Sequence, residues 1–249
     1  MLACARHDHP GKPKSCQMMP FLQINNCATN VRAWVGEDCL LCGADTGPEL
    51  LCPACAAELP ALPEHCPRCA LPSPGGAICG RCLNHPPHFD ATLALWRYEF
   101  PCDRLVQALK YRARLALAGF FARALASRPL PAIDLVVPMP LHPKRLAKRG
   151  FNQALEIARG VARHLGRPIE PRGVLRVKDT LPQTKLPYED RAKNVRRAFL
   201  CKLDLSGARV AVVDDVMTTG ATLNELARVL KRSGATRVEN LVIARTWER

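Results

Sequence analysis

Eight of the thirteen cysteines fall in four C-x-x-C pairs, Cys39/Cys42, Cys52/Cys55, Cys66/Cys69 and Cys79/Cys82, separated by 9, 10 and 9 residues. Residues 39–55 and 66–82 therefore read as two copies of one unit. A C-x-x-C turn points two thiolates at one cation, and a second such turn completes a tetrahedral set of four sulfurs, the closed geometry of structural zinc. Gly43, after Cys42, and Gly80, after Cys79, are expected to give the backbone freedom such turns need. A disulfide framework would require an oxidising compartment, for which the chain carries no export signal. A redox C-x-x-C comes singly beside a βαβ unit rather than four times in tandem. Pairing consecutive turns gives one site from Cys39, Cys42, Cys52 and Cys55 and another from Cys66, Cys69, Cys79 and Cys82; a cross-braced pairing remains open. Two structural Zn2+ ions are expected, with no open position for a substrate, and the adjacent His65 and His85 read as surface residues. Residues 37–90 hold too few large apolar side chains for a core of their own, so another part of the chain must support them.

The 249 residues carry a formal charge of +14, unevenly: residues 1–36 contribute +3, residues 37–90 contribute −5 and residues 91–249 contribute +16. The C-terminal field attracts phosphates, on nucleic acid or on a small ligand, although a solvated basic surface would carry the same charge. Hydrophobic residues make up 48%, enough for a sizeable core in one or two domains. No stretch reaches the roughly 18 uncharged apolar residues of a membrane span, and the N-terminus lacks a basic patch followed by an unbroken apolar run. A soluble, cytoplasmic chain is expected. Residues 1–36, broken by Pro10, Pro13 and Pro20, show no useful periodicity and read as a poorly ordered extension.

From Phe89 onward the pattern changes to long periodic segments. Asp90–Phe100 alternates as a strand, Asp103–Ala126 has helical spacing, and Ile133–Val137 is a short apolar strand closed by Pro138 and Pro140. Asn152–Leu165 reads as a helix capped by Gly166. Residues 167–194, with four prolines among basic residues, read as a long connection. Val210–Val213 is a buried strand, Leu223, Leu226, Ala227 and Leu230 form a helical stripe ending at Gly234, and Val238–Ala244 is the last strand. This alternation predicts an α/β domain over residues 89–249, a mainly parallel sheet flanked by helices with ligands at the strand C-terminal ends. A small cysteine-rich zinc-ribbon module over residues 37–88 precedes it.

The most informative segment is VAVVDDVMTTGATL, Val210–Leu223. An apolar strand runs into Asp214 and Asp215, and a loop of hydroxyl and small residues opens a helix near Ala221. Thr218, Thr219, Gly220, Ala221 and Thr222 can offer N–H groups and hydroxyls to a phosphate at a helix N-terminus, with Gly220 allowing close approach. The two carboxylates are acceptors only and suit sugar hydroxyls or a metal ion. A strand end and a helix cap explain any two of these features; together, in this order, they describe a ribose 5-phosphate site. The segment is neither G-x-x-x-x-G-K-[ST] nor G-x-G-x-x-G.

VVDDVMTTGAT resembles the phosphoribosyl pyrophosphate (PRPP) loop of type I phosphoribosyltransferases. With the paired cysteine units, VPMPLHPKRLAKRGFNQA at Val137–Ala154, and the R-x-x-x-T-x-x-Q-T-x-L run from Arg176 to Leu186 followed by Arg191, Asn194 and Phe199, the chain resembles the ComF family over about residues 37–245. Members of that family are linked to DNA uptake in natural competence. The resemblance implies that Asp214 and Asp215 hold the ribose hydroxyls and that Thr218, Thr219, Gly220, Ala221 and Thr222 hold the 5-phosphate. Lys144, Arg145, Lys148 and Arg149 lie where such enzymes bind pyrophosphate, and Arg176, Gln183 and Arg191 sit on or near a mobile loop over the site. It also implies Mg2+ with PRPP and displacement of pyrophosphate at ribose C1 through a transition state of oxocarbenium character. Three functions follow as alternatives: a phosphoribosyltransferase, a single-stranded-DNA-binding component of the uptake machinery, and a protein-docking platform built on the zinc module. The sparse aromatic residues, Trp96, Tyr98, Tyr111, Phe151 and Tyr188 among them, offer few platforms for base stacking. With little chain after Ala244, a hood that recognises the acceptor must come from earlier segments, the metal module being one source.

Overall fold

The computed structural model describes residues 38–179 and 193–247. The expected extension over residues 1–36, together with Gln183 and Arg191, lies outside them. Four parallel strands form the central sheet in the order β1 (Ala91–Arg97), β6 (Arg237–Arg245), β5 (Arg209–Met217), β2 (Leu135–Pro138). The run Val210–Val213 is apolar at every position because both of its faces are covered, as a central parallel strand requires.

One face of the sheet is packed by α3 (Cys102–Arg112), α4 (Ala116–Ala126) and α6 (Gln153–Leu165), through Leu105, Leu109, Phe121, Leu125, Ile157 and Val161. Helix α6 starts where Asn152 Oδ1 accepts from the Ala154 N–H at 3.0 Å, and it ends at Gly166 in the left-handed conformation, as the sequence predicts. At Gly160 it presses so closely on α4 that an added Cβ would meet Ala122 Cβ at 2.4 Å. The opposite face is packed by α7 (Ala221–Arg232), whose buried stripe is Leu223, Leu226, Ala227 and Leu230, and by a two-stranded antiparallel ribbon, β3 (Val174–Arg176) with β4 (Phe199–Cys201). The short α5 (Pro143–Arg149) follows β2.

Two expectations change. The helix expected over Asp103–Ala126 is two helices: Ala113 takes a left-handed φ of 50°, ends α3, and turns α4 back across the sheet. No glycine or proline marks that break in the sequence. The connection expected over residues 167–194 contains β3, whose three residues are too few to show alternation.

The cysteine-rich segment is held by the sheet. Each second C-x-x-C pair begins a short helix: Cys52 precedes α1 (Pro53–Ala57) and Cys79 precedes α2 (Gly80–Asn84). The stretch between the two units and the first turn of the second run along the outer edge of β1, where the Arg97 N–H donates to the Pro60 carbonyl at 2.8 Å, the Thr92 N–H to the Pro67 carbonyl at 3.0 Å, and Ala61 bridges Trp96 antiparallel. They thereby cover a strand edge that would otherwise present unpaired backbone. From that strap the two units fold to opposite faces: Cys39, Leu50, Leu51 and Leu59 join the core around Trp96, α3 and α4, whereas Cys66, Cys69, Ala70 and Cys82 join the core beneath α7.

Candidate functional site

The two cysteine sets assemble by consecutive pairing, which decides the alternative the spacing left open: Cys39, Cys42, Cys52 and Cys55 in one group, Cys66, Cys69, Cys79 and Cys82 in the other, with all ligand atoms of a group within 4.8 Å of one another. The Sγ atoms of Cys42 and Cys52 are 3.7 Å apart, and those of Cys69 and Cys79 are 3.6 Å apart. Four sulfurs about 2.3 Å from one ion would stand about 3.8 Å from each other, so both sets fit structural zinc, and neither has the separation of a disulfide. Burial opposes ionisation of Cys39, but the N–H groups of Cys52, Cys42 and Leu41 prevail and lower the thiol to about 6; at Cys66 the N–H groups of Cys79, Cys69 and Arg68 likewise lower it to about 7.

The repeat is detailed. Displaced by 27 positions, the Gly43 N–H to Cys39 carbonyl bond becomes Ala70 N–H to Cys66 carbonyl, and the Cys39 N–H to Ala44 bond becomes Cys66 N–H to Leu71. One reading of the sequence is corrected by it. Gly80 is the first residue of α2 with ordinary helical backbone, and the counterpart of Gly43 (φ 74°) is Ala70, held at φ 54°.

At the C-terminal end of the sheet, β5, α3, α5 and α7 surround a cavity of about 210 Å³. Strand β5 runs further than its apolar core, to Met217, because Asp214, Val216 and Met217 still pair with β6; the acidic pair lies inside the strand rather than after it. Asp214 is half-buried and Asp215 is buried. Asp214 Oδ1 accepts from the Asp215 N–H at 2.8 Å, and Asp215 Oδ1 from the Val216 N–H at 2.7 Å. Lys110 reaches from α3 to place Nζ 3.0 Å from Asp215 Oδ2. Burial works against the lysine's charge, but Asp215 and then Asp214 raise its pKa above the ordinary value. Burial, followed by the charge of Asp215, pushes the Asp214 carboxyl up to about 7.

Facing the carboxylates are Arg145 and Arg149, one turn apart on α5, and Arg176 at the end of β3. Burial and then the charge of Arg145 lower Arg176 to about 10, against the pull of Asp214 and Asp179. Burial also lowers Arg145, with Asp179 opposing and Arg149 adding to the effect. Partly dehydrated guanidiniums crowded together are what an entering anion would relieve. Thr218, Gly220, Ala221 and Thr222 form the floor of the cavity where α7 begins. Gly220 has φ 80°, and a Cβ there would strike Met217 Cε at 2.6 Å.

The other expected residues are placed differently. Thr219 does not line the cavity: its Oγ1 accepts from the Ala221 N–H at 3.3 Å, a bond within the turn. Lys144 points away, largely exposed and 4.0 Å from Asp179. Lys148 belongs to a neighbouring cavity of about 470 Å³, bordered by Lys110, Tyr111, Arg145, Arg149 and Phe151, where the Arg149 guanidinium lies 5.8 Å from the Tyr111 ring centroid. Arg145 and Arg149 therefore border both cavities, Lys148 borders the second but not the main one, and Lys144 borders neither. No described residue of the cysteine-rich segment lines the main cavity; Tyr98, Lys110 and Tyr111 supply that wall. The sequence reading missed Lys110, although a signal exists: it continues the stripe Cys102, Val106 at i+4 spacing, where an apolar side chain is expected.

A paired four-cysteine module strapped to a parallel α/β domain with this loop defines a double zinc ribbon joined to a phosphoribosyltransferase-type domain. Residues 32–83 match the double zinc ribbon domain family and residues 152–248 the phosphoribosyl transferase domain family. The chain is 34% identical over 205 residues to the DNA utilization protein YhgH of Salmonella typhi, covering 79% of this chain and 90% of the relative. It is 31% identical to Competence protein F of Haemophilus influenzae, covering 78% and 90%. Competence protein ComFC of Bacillus subtilis is 27% identical, covering 75% and 80%. The chain belongs to the ComF family of competence and DNA-utilization proteins. Among solved structures it matches the glutamine PRPP amidotransferase of B. subtilis complexed with ADP and GMP, with a TM-score of 0.39 and 20% identity over 55% of this chain and 30% of that one. Among the described residues no helix is long and apolar enough to cross a membrane.

Proposed function

We propose that the 210 Å³ cavity binds PRPP, and that the domain over residues 89–249 releases pyrophosphate from it in a phosphoribosyl transfer, with residues 37–88 as its zinc-held support. The observation that carries this reading is the opposition of charge across one small space: Asp214 and Asp215 on one side, Arg145, Arg149 and Arg176 on the other, with the start of α7 as the floor. A sugar bearing phosphoryl groups at both ends needs that arrangement. The loop amides and hydroxyls of Thr218, Gly220, Ala221 and Thr222 hold the 5-phosphate, and the carboxylates accept from the ribose hydroxyls. Arg145, Arg149 and Arg176 draw off the charge that develops on the leaving diphosphate, while Asp214 favours the positive charge developing on the sugar. Lys110 holds Asp215 in place, with its Nζ 3.0 Å from Oδ2. Asp214, whose carboxylate lines the cavity, would hold Mg2+ carried in with the diphosphate, and the ion would supply further neutralisation of the leaving group. The acceptor approaches from the side of Tyr98 and Tyr111.

Titration calorimetry with PRPP and Mg2+ tests the site, and pyrophosphate release across a panel of acceptors tests the reaction. Saturable binding that is lost in Asp214→Asn/Asp215→Asn supports the assignment; unchanged affinity in that double variant removes it. A second reading rests on the neighbouring 470 Å³ cavity, whose described lining contains four cations, two aromatic rings and no carboxylate, a surface suited to single-stranded DNA. Its test is the salt dependence of single-strand binding before and after neutralising Lys148, which borders that cavity and not the 210 Å³ one; an unaltered salt slope dismisses it.

A further inference from the structure

Arg245, at the end of β6, has the largest side chain among those fully buried, with 2% of its surface exposed. Its guanidinium joins two parts of the molecule that lie far apart in sequence. Nε donates to the carbonyl of Cys69 at 2.8 Å, and Nη1 donates to the carbonyl of Met217 at 3.0 Å and, more closely, to those of Thr218 and Thr246. Cys69 belongs to the second cysteine set and its carbonyl lies in the turn that Ala70 closes at φ 54°. Met217 and Thr218 begin the loop that floors the cavity. A guanidinium is a planar fork whose donors are fixed relative to one another, so a displaced acceptor on one side is felt on the other. Burying that charge is costly unless its acceptors stay in place.

A second contact runs parallel to this one. The His88 N–H, just past the second unit, donates to Asn224 Oδ1 in the first turn of α7 at 2.6 Å. Phe89 stands near Gly220, within 4.0 Å of where a Cβ would lie. The first unit differs: its matching residue Cys42 is exposed, on the other face of the sheet.

We propose that Arg245 is a positioning residue that transmits the state of the second zinc set, and not the first, to the phosphate-binding loop. With the ion in place, the Cys66–Cys69 turn is fixed, its carbonyl orients the guanidinium, and the guanidinium holds Met217 and Thr218. Without it the turn relaxes, Arg245 loses an acceptor, and the loop loosens. Only the choice of PRPP as ligand depends on the function proposed above.

The test uses the full zinc-loaded chain. Zinc is counted by mass spectrometry, amide exchange is followed at Thr218–Thr222, and PRPP affinity is measured by calorimetry for the wild type, Cys79→Ser, Cys52→Ser and Arg245→Lys. Loss of the second ion in Cys79→Ser is expected to weaken PRPP about tenfold and to speed exchange in the loop, with at least a fivefold smaller change from loss of the first ion in Cys52→Ser. Arg245→Lys should retain both ions, show the faster loop exchange, and make a subsequent Cys79→Ser change add nothing. Equal effects from the two units, or additive effects of Arg245→Lys and Cys79→Ser, overturn the proposal. By linkage, saturating PRPP should tighten one of the two zinc ions about tenfold in equilibrium competition with a chelator in the wild type, a measurement that needs no variant to fold; equal tightening of both also overturns it. If the wild type binds no PRPP, the function proposed above fails, while the exchange measurements on zinc removal still decide the relay.

Discussion

The two cysteine units share a spacing, a hydrogen-bond pattern and a helix start, yet the molecule uses them differently. The first sits against Trp96 and the helices of one face and leaves Cys42 exposed; the second is sunk beneath α7, with Cys66, Cys69 and Cys82 all buried. A local repeat thus fixes how four sulfurs converge, while the surface on which each copy lands sets how much else depends on it. The α3 side also delivers Lys110 to the cavity, and the α7 side delivers the loop. A variant in either unit therefore reads the face beneath it as well as the metal.

Substitutions can break or sharpen that contrast. The largest effect is expected from Cys66→Ser, which removes a ligand and leaves a polar group in a fully buried site. A loss of about 4 kcal/mol, or on the order of 10 °C in melting temperature, should exceed that of Cys42→Ser by at least half; equal losses would erase the difference between the units. Next, Lys110→Met strands Asp215 on the first face. Breaking a mostly buried pair costs about 3 kcal/mol at pH 8, and less near pH 5.5 because Asp214 then carries a proton and the acidic pair holds one charge fewer; urea unfolding at the two pH values checks this.

Asp214 gives the third. Its folded pKa of about 7 lies above the unfolded value of about 4, so the folded state binds the proton more tightly and stability falls as pH rises between those values. Asp214→Asn should flatten this dependence and be more stable than the wild type by about 1 kcal/mol at pH 8, while losing PRPP. A wild-type profile that rises over the same interval would contradict the assigned burial and charge.

Gly220→Ala, with its positive φ and the collision with Met217, should cost about 1–2 kcal/mol and weaken PRPP without changing zinc content. The smallest effects compare the units directly. Gly43→Ala meets no neighbour within 4 Å but must adopt φ 74°, for about 1 kcal/mol. Ala70→Gly relieves the same strain and forfeits a buried methyl group, and should move stability by less than about 1 kcal/mol, measured by thermal melting.

Much of this was legible in the chain because its causes are local. Four C-x-x-C pairs specify sulfur geometry through the length of two turns, and a buried parallel strand announces itself as an apolar run. Gly166 ends α6 through bonds to its own neighbours. Where the cause was not local, the reading fell short. Ala113 breaks a helix without glycine or proline, and β3 is only three residues long. The strand β5 continues past its apolar core because β6 pairs with it there.

The sequence by itself determined eight metal-ligating cysteines, a parallel α/β domain and the acidic pair followed by the threonine-glycine loop, since each rests on spacing along a few turns of backbone; how the cysteines pair into two sets was decided by the fold. Only the tertiary structure decided which cations face the carboxylates, dividing Arg145 and Arg149 from Lys144 and Lys148 and bringing in Lys110, because those contacts depend on helix rotation and on approach across the sheet. It also decided that the strap between the cysteine units covers the edge of β1 and that Arg245 spans from Cys69 to Thr218. Such partners lie well beyond one turn of each other in sequence, Cys69 and Arg245 by 176 residues, and what joins them is burial, which makes a charged or hydrogen-bonding group find an acceptor wherever the packed chain supplies one.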